Sequence, residues 1–278
     1  MPCAALDPNR HHGVVLESLP PARRRFALAV IVVVSLALLV AASLVIGQLK
    51  RNVVPPITPQ EKGGPVVVLP GYGGRLALLV PIVVALRAEH RKIVVFTPTD
   101  HETGDLRVQA KRLRDLVNRT LDKTHAKSVD VVGYSAGAMI ARLWVRNYGG
   151  DRQARRVLTI AAPNHGTKRS KIEALTAGGD CPATCVQLSD GSSFLSKLNA
   201  GDETPSGPTW ITIRSATDDV VTPDSSVILD GALNLLVQDG CPVATTNHVG
   251  MPSDPYVLAA LATTLGNDAP QAPSFVKC

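Results

Sequence analysis

The stretch VDVVGYSAGAM, residues 129–139, decides how the rest of this chain is interpreted. Three of its first four residues are valine, which favours a buried strand, and a helical pattern begins at Ala136. Between them, Ser135 has a glycine two residues away on each side. A serine at such a tight strand-to-helix turn is strained and needs small neighbours, and its hydroxyl lies exposed at the start of the helix. This setting favours a nucleophilic Ser135 over an ordinary glycine-rich connection.

Short apolar runs alternate with longer helical patterns on both sides of this stretch. The alternation is typical of βαβ units and predicts an α/β fold, in which helices cover both faces of a mostly parallel sheet. The predicted strands are Val66–Leu69, Ile93–Phe96, Val129–Val132, Val157–Ile160 and Trp210–Ile213; the predicted helices cover about 76–89, 105–125 and 136–148, with one more near the end.

The segment between Pro163 and Trp210 is long for a plain connection, at about 45 residues. We expect it to form a small excursion over the sheet. The sequence contains no obvious large lid.

A serine hydroxyl attacks efficiently only when a base removes its proton. His165 and His248 are the two histidines that follow Ser135 in the sequence. His165 comes soon after the next strand, and no acid on a strand precedes it. His248 lies in a loop ahead of the last helix, where a general base is expected when the order is Ser, acid, His. We therefore predict that His248 is the base.

Two adjacent carboxylates, Asp218 and Asp219, follow directly on the strand Trp210–Ile213. A carboxylate at the end of a strand can accept a hydrogen bond from an imidazole and fix its tautomer. Both residues qualify, and spacing does not choose between them.

Acyl transfer also needs hydrogen-bond donors for the oxyanion of the tetrahedral intermediate. The backbone N–H of Ala136 is one candidate, and the loop Pro70–Gly74 after the first strand is expected to supply another. That loop lacks the lysine and Ser/Thr of a phosphate-binding loop and the G-x-G-x-x-G pattern of a dinucleotide site. No metal or organic cofactor is expected.

The N-terminal part of the chain carries an uncharged apolar run from Phe26 to Gly47. As a helix it would span roughly 33 Å, enough to cross a bilayer core. A retained anchor is favoured over a signal peptide cleaved after Val40–Ala42. Arg23–Arg25 precede the run and Lys50 and Arg51 follow it, which favours a cytoplasmic N-terminus and places the rest of the chain outside the cytoplasm, either anchored or secreted.

Cysteine usage agrees with an oxidising compartment. Four cysteines follow the apolar run, and four cysteines allow three pairings. Cys181 and Cys185 are close in sequence and are expected to pair, which leaves Cys241 with Cys278 by elimination. Zinc binding is the competing interpretation, but no neighbouring histidine completes a ligand set.

The predicted organisation of the chain has five parts. They are a cytoplasmic segment at 1–25, a transmembrane signal-anchor or signal peptide at 26–47, a linker at 48–64, a catalytic domain at 65–265 and a C-terminal tail at 266–278.

Composition argues against a nucleic-acid partner. The net charge is +6, but Lys and Arg are spread along the chain, and only 4% of the residues are aromatic. Base-stacking platforms are therefore not expected. The densest basic cluster borders the apolar run, where membrane topology explains it.

Five strings in this sequence together resemble the class 2 lipases, small bacterial extracellular lipases of the α/β-hydrolase superfamily. They occur in the order typical of that family, and the resemblance covers most of residues 65–265. The strings are VVVLPGYGG at 66–74, VDVVGYSAGAM at 129–139, APNHGT at 162–167, SATDDVVTP at 215–223 and NHVG at 247–250.

The resemblance implies a role for several of these residues. It makes Asp218 the catalytic acid, puts the oxyanion donors on Tyr72 and Ala136, and makes His165 structural. It also suggests a small disulfide loop at Cys181–Cys185. Pro70 stands where many relatives have His, and Ala138 where many have Gly, but neither departure removes a reacting group.

These observations predict a serine hydrolase that cleaves carboxylic esters through an acyl-enzyme intermediate. By resemblance, acyl glycerols are the expected substrates, with short-chain esters next. Acyl transfer to an alcohol would use the same residues, and a catalytically silent envelope-binding protein could keep the same fold. The intact Ser135, Asp218 and His248 argue against the silent protein.

Overall fold

The computed structural model describes residues 20–51, 59–99, 103–173, 181–274 and 276–278. The chain divides into two compact units, residues 1–54 and residues 55–278.

The described residues of the first unit form the helix α1, at Pro21–Arg51. Its segment Pro21–Ala41 has a mean hydropathy of 2.3 and no buried residues, so it is long and apolar enough to cross a membrane. Apolar side chains such as Leu39, which is 67% exposed, point outward all round the helix. A helix that is apolar on every side suits a membrane span or a signal sequence. The start of this segment lies five residues before the predicted run Phe26–Gly47.

The second unit is built on a six-stranded sheet in the order β2-β1-β3-β4-β5-β6, and every pair of neighbouring strands is parallel. The strands are β1 Val66–Leu69, β2 Ile93–Val95, β3 Val129–Tyr134, β4 Ala154–Ile160, β5 Thr209–Arg214 and β6 Leu233–Leu236. The predicted α/β class with a parallel sheet is therefore confirmed.

Helices cover both faces of this sheet, as βαβ connections require. The helices are α2 Val80–Ala88, α3 Leu106–Thr124, α4 Ala136–Asn147, α5 Arg169–Glu173, α6 Ala183–Leu188, α7 Ser193–Leu198, α8 Val237–Gly240 and α9 Pro255–Leu265; 3₁₀ turns lie at Leu76–Leu79, Gly150–Arg152, Asp224–Val227 and His248–Ser253.

Alternate residues of each strand face two separate cores. On one face, Val67 and Val131 pack with α3 and α4, whose buried side chains include Leu113 and Trp144. On the other face, the strand residues pack with α2 and α9. The buried residues of that second core include Val66, Val68, Val132, Leu158, Ile82, Leu86, Val257 and Leu261.

The structure differs most from the predicted elements at β6 and at the start of β4. The strand β6 was not predicted, because its residues, LNLL, include an asparagine and no β-branched side chain. The strand β4 begins at Ala154, three residues before the predicted start at Val157. Arg155 and Arg156 were left out of the predicted strand because charged residues are rarely buried. Both arginines are nevertheless buried.

The excursion between β4 and β5 contains α5, α6 and α7, none longer than six residues. Arg142 of α4 holds this excursion against the helix, because its guanidinium donates to the side-chain oxygens of Asn164 and Asn199 at 3.3 and 2.9 Å. Burial lowers the pKa of Arg142 to about 10, so the group still carries its charge at neutral pH.

Both expected disulfides are present. Cys181 pairs with Cys185, and Cys241 pairs with Cys278, with Cα–Cα distances of 5.3 and 5.7 Å. The second bond fastens the C-terminal tail, whose Val276 packs against the core on the α9 face. The first bond uses both sulfurs that zinc binding would need.

A buried ion-pair network lies where the strands begin. Asp130 of β3 is fully buried and accepts hydrogen bonds from Nε and Nη2 of Arg155 at 2.8 and 2.6 Å. The same carboxylate accepts from Arg91. Arg155 also donates to the carbonyls of Leu265 and Gly266 at the end of α9. The network thus joins the sheet to the end of its last helix.

We expect Asp130→Ala to lower the free energy of unfolding by about 3–5 kcal/mol, because the guanidinium of Arg155 would remain buried without its carboxylate. Urea denaturation measures the change. Asp115→Ala is the control: Asp115 pairs with Arg114 on the surface, so we expect a change within about 0.5 kcal/mol. A loss below about 1 kcal/mol for Asp130→Ala would contradict the role given to the network.

Candidate active site

Ser135 occupies the turn between β3 and α4, with φ 52° and ψ −120°. A non-glycine residue in this region of positive φ is strained, and such strain is kept only where the surroundings hold it. The residue is 6% exposed, so its side chain lies in a nearly closed space. The strained turn expected from the sequence is present, whereas the expected exposure of the serine is not, because the residue is buried.

Close packing around the turn explains the two flanking glycines. A Cβ on Gly137 would lie 2.2 Å from the carbonyl oxygen of Pro70, and a Cβ on Gly133 would lie 2.7 Å from the backbone nitrogen of Ala138. Real side chains do not approach backbone atoms so closely. The absence of a Cβ at Gly137 therefore lets the loop after β1 pack directly against the start of α4.

His248 is brought to this turn by the 3₁₀ turn His248–Ser253, which Asn247 caps by accepting from the backbone N–H of Gly250. The His248 side chain is 3% exposed. Its Nε2 lies 3.0 Å from Oγ of Ser135, although 113 residues separate the two in sequence. This distance is that of a hydrogen bond.

Asp218 lies on the other side of the imidazole, in the loop after β5. Its Oδ2 is 2.9 Å from Nδ1 of His248. Its Oδ1 accepts from the backbone N–H groups of Val220 and Val221 at 2.8 and 2.9 Å. These two amides fix the orientation of the carboxylate. With Asp218 accepting at Nδ1, the proton belongs on Nδ1, which leaves Nε2 free to accept from the hydroxyl of Ser135.

Asp219, which the sequence left as an alternative to Asp218, faces a different atom. Its Oδ1 accepts from the backbone N–H of His248 at 3.1 Å. The side chain that meets the imidazole is therefore that of Asp218, as the resemblance implied.

The two expected oxyanion donors belong to segments that border the serine. Ala136 is the first residue of α4, so its backbone N–H lies at the positive end of the helix dipole. Tyr72 lies in the loop after β1. A small cavity of about 40 Å³ at the serine is lined by Tyr72, Gly73, Arg75, Leu78, Tyr134, Ser135, His248 and Val249.

His165 lies outside this group. Its Nε2 is 2.8 Å from a carboxylate oxygen of Glu203, and its Nδ1 is 3.2 Å from the carbonyl oxygen of Ser226. Both ring nitrogens thus have hydrogen-bond partners, one in the excursion and one in the loop after β5. The contacts agree with the structural role that the resemblance implied.

A larger cavity, of about 810 Å³, lies where the strands begin and not at Ser135. It is formed by Pro59, residues 61–65, His90–Lys92 and Thr124–Ser128. None of these residues belongs to the serine–imidazole–carboxylate group, so we place the chemistry at the smaller cavity.

Two contacts at the site were missed by the sequence analysis. The hydroxyl of Tyr134 donates to the carbonyl oxygen of His248 at 2.9 Å, and Asp219 binds the amide of the same residue. Tyr134 is the variable position of the G-x-S-x-G motif. No local pattern indicates that its hydroxyl reaches a residue 114 positions later.

Comparisons with known proteins point to one family and one fold. A family model described as Lipase (class 2) matches residues 106–255, more than half of the chain. The fold is similar to that of Aspergillus fumigatus lipase B, with a TM-score of 0.68 and 20% identity over 80% of this chain and 57% of that one. It is also similar to the mature form of Bacillus licheniformis lipase BlEst2, with a TM-score of 0.59 and 12% identity over 76% of this chain and 96% of that one.

A comparison with curated proteins found no match for the sequence. This chain spans a little over half the length of the fungal lipase. At these identities the two solved structures show a common fold, and the family model, which includes the positions of Ser135, Asp218 and His248, shows the family. The chain belongs to the class 2 lipases, a family of carboxylic ester hydrolases, and has the α/β-hydrolase fold.

Proposed function

We propose that this chain hydrolyses carboxylic esters through an acyl-enzyme intermediate, with Ser135 as nucleophile, His248 as general base and Asp218 as its partner. One observation carries the proposal. The continuous hydrogen-bonded path from Oγ of Ser135 through both nitrogens of His248 to Asp218 has distances of 3.0 and 2.9 Å. Such a path is how a neutral hydroxyl is activated at neutral pH.

The first half of the reaction acylates the serine. Ser135 Oγ attacks the ester carbonyl carbon while Nε2 of His248 takes the hydroxyl proton. The carbonyl oxygen becomes an oxyanion, which the backbone N–H groups of Ala136 and Tyr72 stabilise. The bond to the alcohol oxygen then breaks, and His248 gives its proton to the departing alcohol. The product of this half is an ester between Ser135 and the acyl group.

The second half repeats the chemistry with water. His248 takes a proton from a water molecule, whose oxygen attacks the acyl carbon, and the same amides stabilise the second oxyanion. The bond to Oγ breaks as His248 returns the proton to Ser135, which releases the carboxylic acid. Asp218 keeps the proton on Nδ1 and stabilises the imidazolium in both halves.

The shape of the site bears on the substrate. A cavity of about 40 Å³ holds the reacting ester group but does not enclose a long chain. An acyl chain would leave it past the rim residues Leu78 and Val249, and Val249 is itself 45% exposed. We propose acyl esters as substrates, with acyl glycerols favoured by the family and by the lipases that share the fold.

We also propose that the protein acts outside the cytoplasm and is held at a membrane by its N-terminal helix. The apolar segment Pro21–Ala41 and the two disulfides support this location. The membrane is then a partner through α1.

Labelling with a fluorophosphonate probe tests the nucleophile. We expect the wild-type chain to be labelled. We expect Ser135→Ala to lose the label because, within the described residues, no other hydroxyl bonds to the imidazole of His248. His165→Ala should keep it, because the imidazole of His165 bonds to Glu203 and Ser226 and not to Ser135. Gel fluorescence measures the labelling. Persistent labelling of Ser135→Ala would show that another residue is the nucleophile.

A matched pair of variants tests the acid. We expect Asp218→Asn to lower kcat by about 10³–10⁴-fold, because an amide at this position supports the wrong imidazole tautomer. Asp219→Asn keeps an oxygen that can accept from the amide of His248, so we expect a change within about threefold. Hydrolysis of a soluble p-nitrophenyl ester measures both variants. The assignment is wrong if the two effects are reversed.

Mass spectrometry of the protein isolated from cell membranes tests the anchor. We expect peptides from the apolar part of Pro21–Ala41 to be present, because the uncharged run Phe26–Gly47 is longer than the apolar part of a cleaved signal usually is. A mature protein that begins after Ala42 would instead indicate secretion.

A further inference from the structure

The main chain of His248 is held from both sides by side chains that have no other assigned role. Its carbonyl oxygen accepts from the hydroxyl of Tyr134 at 2.9 Å. Its N–H donates to Oδ1 of Asp219 at 3.1 Å. Within the described residues, neither side chain has a hydrogen bond to Ser135 or to the Asp218 carboxylate. Their hydrogen bonds to His248 are therefore with the backbone that carries the imidazole, and not with the reacting atoms.

The hydroxyl of Tyr134 is well suited to hold this carbonyl. Tyr134 is 3% exposed, and its ring lies beside the imidazole with a centroid distance of 5.3 Å. Burial, together with the negative charges of Asp218 and Asp219, raises the pKa of the phenol well above its ordinary value. The hydroxyl therefore keeps its proton over the whole working range of pH and remains a donor.

The residues that hold the His248 backbone are sequence neighbours of Ser135 and Asp218. Tyr134 directly precedes Ser135, and the backbone of this turn is fixed by close packing of Gly133 and Gly137. The group that anchors the base is thus one residue from the nucleophile, on the same rigid turn. Asp219 likewise directly follows the acid Asp218. Tyr134 and Asp219 thus each form a hydrogen bond to the backbone of His248.

We propose that Tyr134 and Asp219 are positioning residues that set the distance between Nε2 of His248 and Oγ of Ser135. This inference rests on the proposed function, in which His248 is the base. Errors of about 1 Å in such geometry cost on the order of 10²-fold in rate, so two hydrogen bonds that limit the movement of this loop affect the chemical step.

The variant Tyr134→Phe isolates the hydroxyl, because it keeps the ring that lines the cavity. We expect kcat for a soluble p-nitrophenyl ester to fall by about 5- to 30-fold with KM within about twofold, since one hydrogen bond to the base's backbone is lost and no substrate contact changes. The rate of fluorophosphonate labelling should fall by a similar factor. Tyr148→Phe, at the far end of α4, is the matched control and should leave kcat unchanged.

Asp219 provides the second, independent test, because its side chain is exposed and its loss does not disturb the core. We expect Asp219→Ala to lower kcat by about 3- to 10-fold, and Asp219→Asn to restore the rate, because an amide oxygen can accept from the same N–H. Rescue by Asn and failure by Ala is a result that a merely structural contribution of charge would not give.

All variants are made in the full chain, solubilised in detergent, and their thermal unfolding midpoints are recorded. If Tyr134→Phe fails to fold, the Asp219 pair alone decides. A kcat within twofold of wild type for a folded Tyr134→Phe, or a rise in KM alone, overturns the proposal. Retention of ester hydrolysis by Ser135→Ala would instead overturn the proposed function, so the two failures are distinguishable.

Discussion

The contact between Gly137 and the carbonyl of Pro70 is the constraint on which the rest of the site depends. Because there is no side chain at Gly137, the loop after β1 packs against the first turn of α4. That packing surrounds Ser135 and offsets the strain of its positive φ. It also brings Tyr72 to the same cavity as the serine. One steric condition thus serves the nucleophile and the loop from which an oxyanion donor is expected.

The parallel sheet places the candidate active site and the buried ion-pair network at opposite ends of its strands. All six strands run the same way, so the loops after β1, β3 and β5 meet at one edge, where Ser135 and Asp218 lie. The network of Asp130 and Arg155 occupies the opposite edge and holds the end of α9. Ligand sites in α/β folds are found at the carboxyl ends of strands for this reason.

Sequence patterns predicted much of this arrangement, and the failures have physical causes. Valine-rich runs and the glycines around Ser135 predicted the sheet and the turn, because burial and steric strain leave local signatures. Order along the chain singled out His248. The choice of Asp218 over Asp219 needed the family resemblance, because adjacent carboxylates have the same composition and differ only in where the loop aims them. Arg155 was assigned to no buried strand, since its compensation by Asp130 is a tertiary contact, and the contact of Tyr134 with His248 is of the same kind.

The bond between Cys241 and Cys278 closes a loop that contains both the His248 turn and α9. The two cysteines are 37 positions apart. On the chain-entropy account, a covalent loop of this size lowers the entropy of the unfolded chain and so stabilises the folded state by on the order of 4 kcal/mol. The bond to the tail therefore limits the movement of the segment that carries the imidazole, although no residue of the tail is assigned a role in the reaction. In a reducing compartment the bond would not form, and this restraint on the His248 segment would be absent.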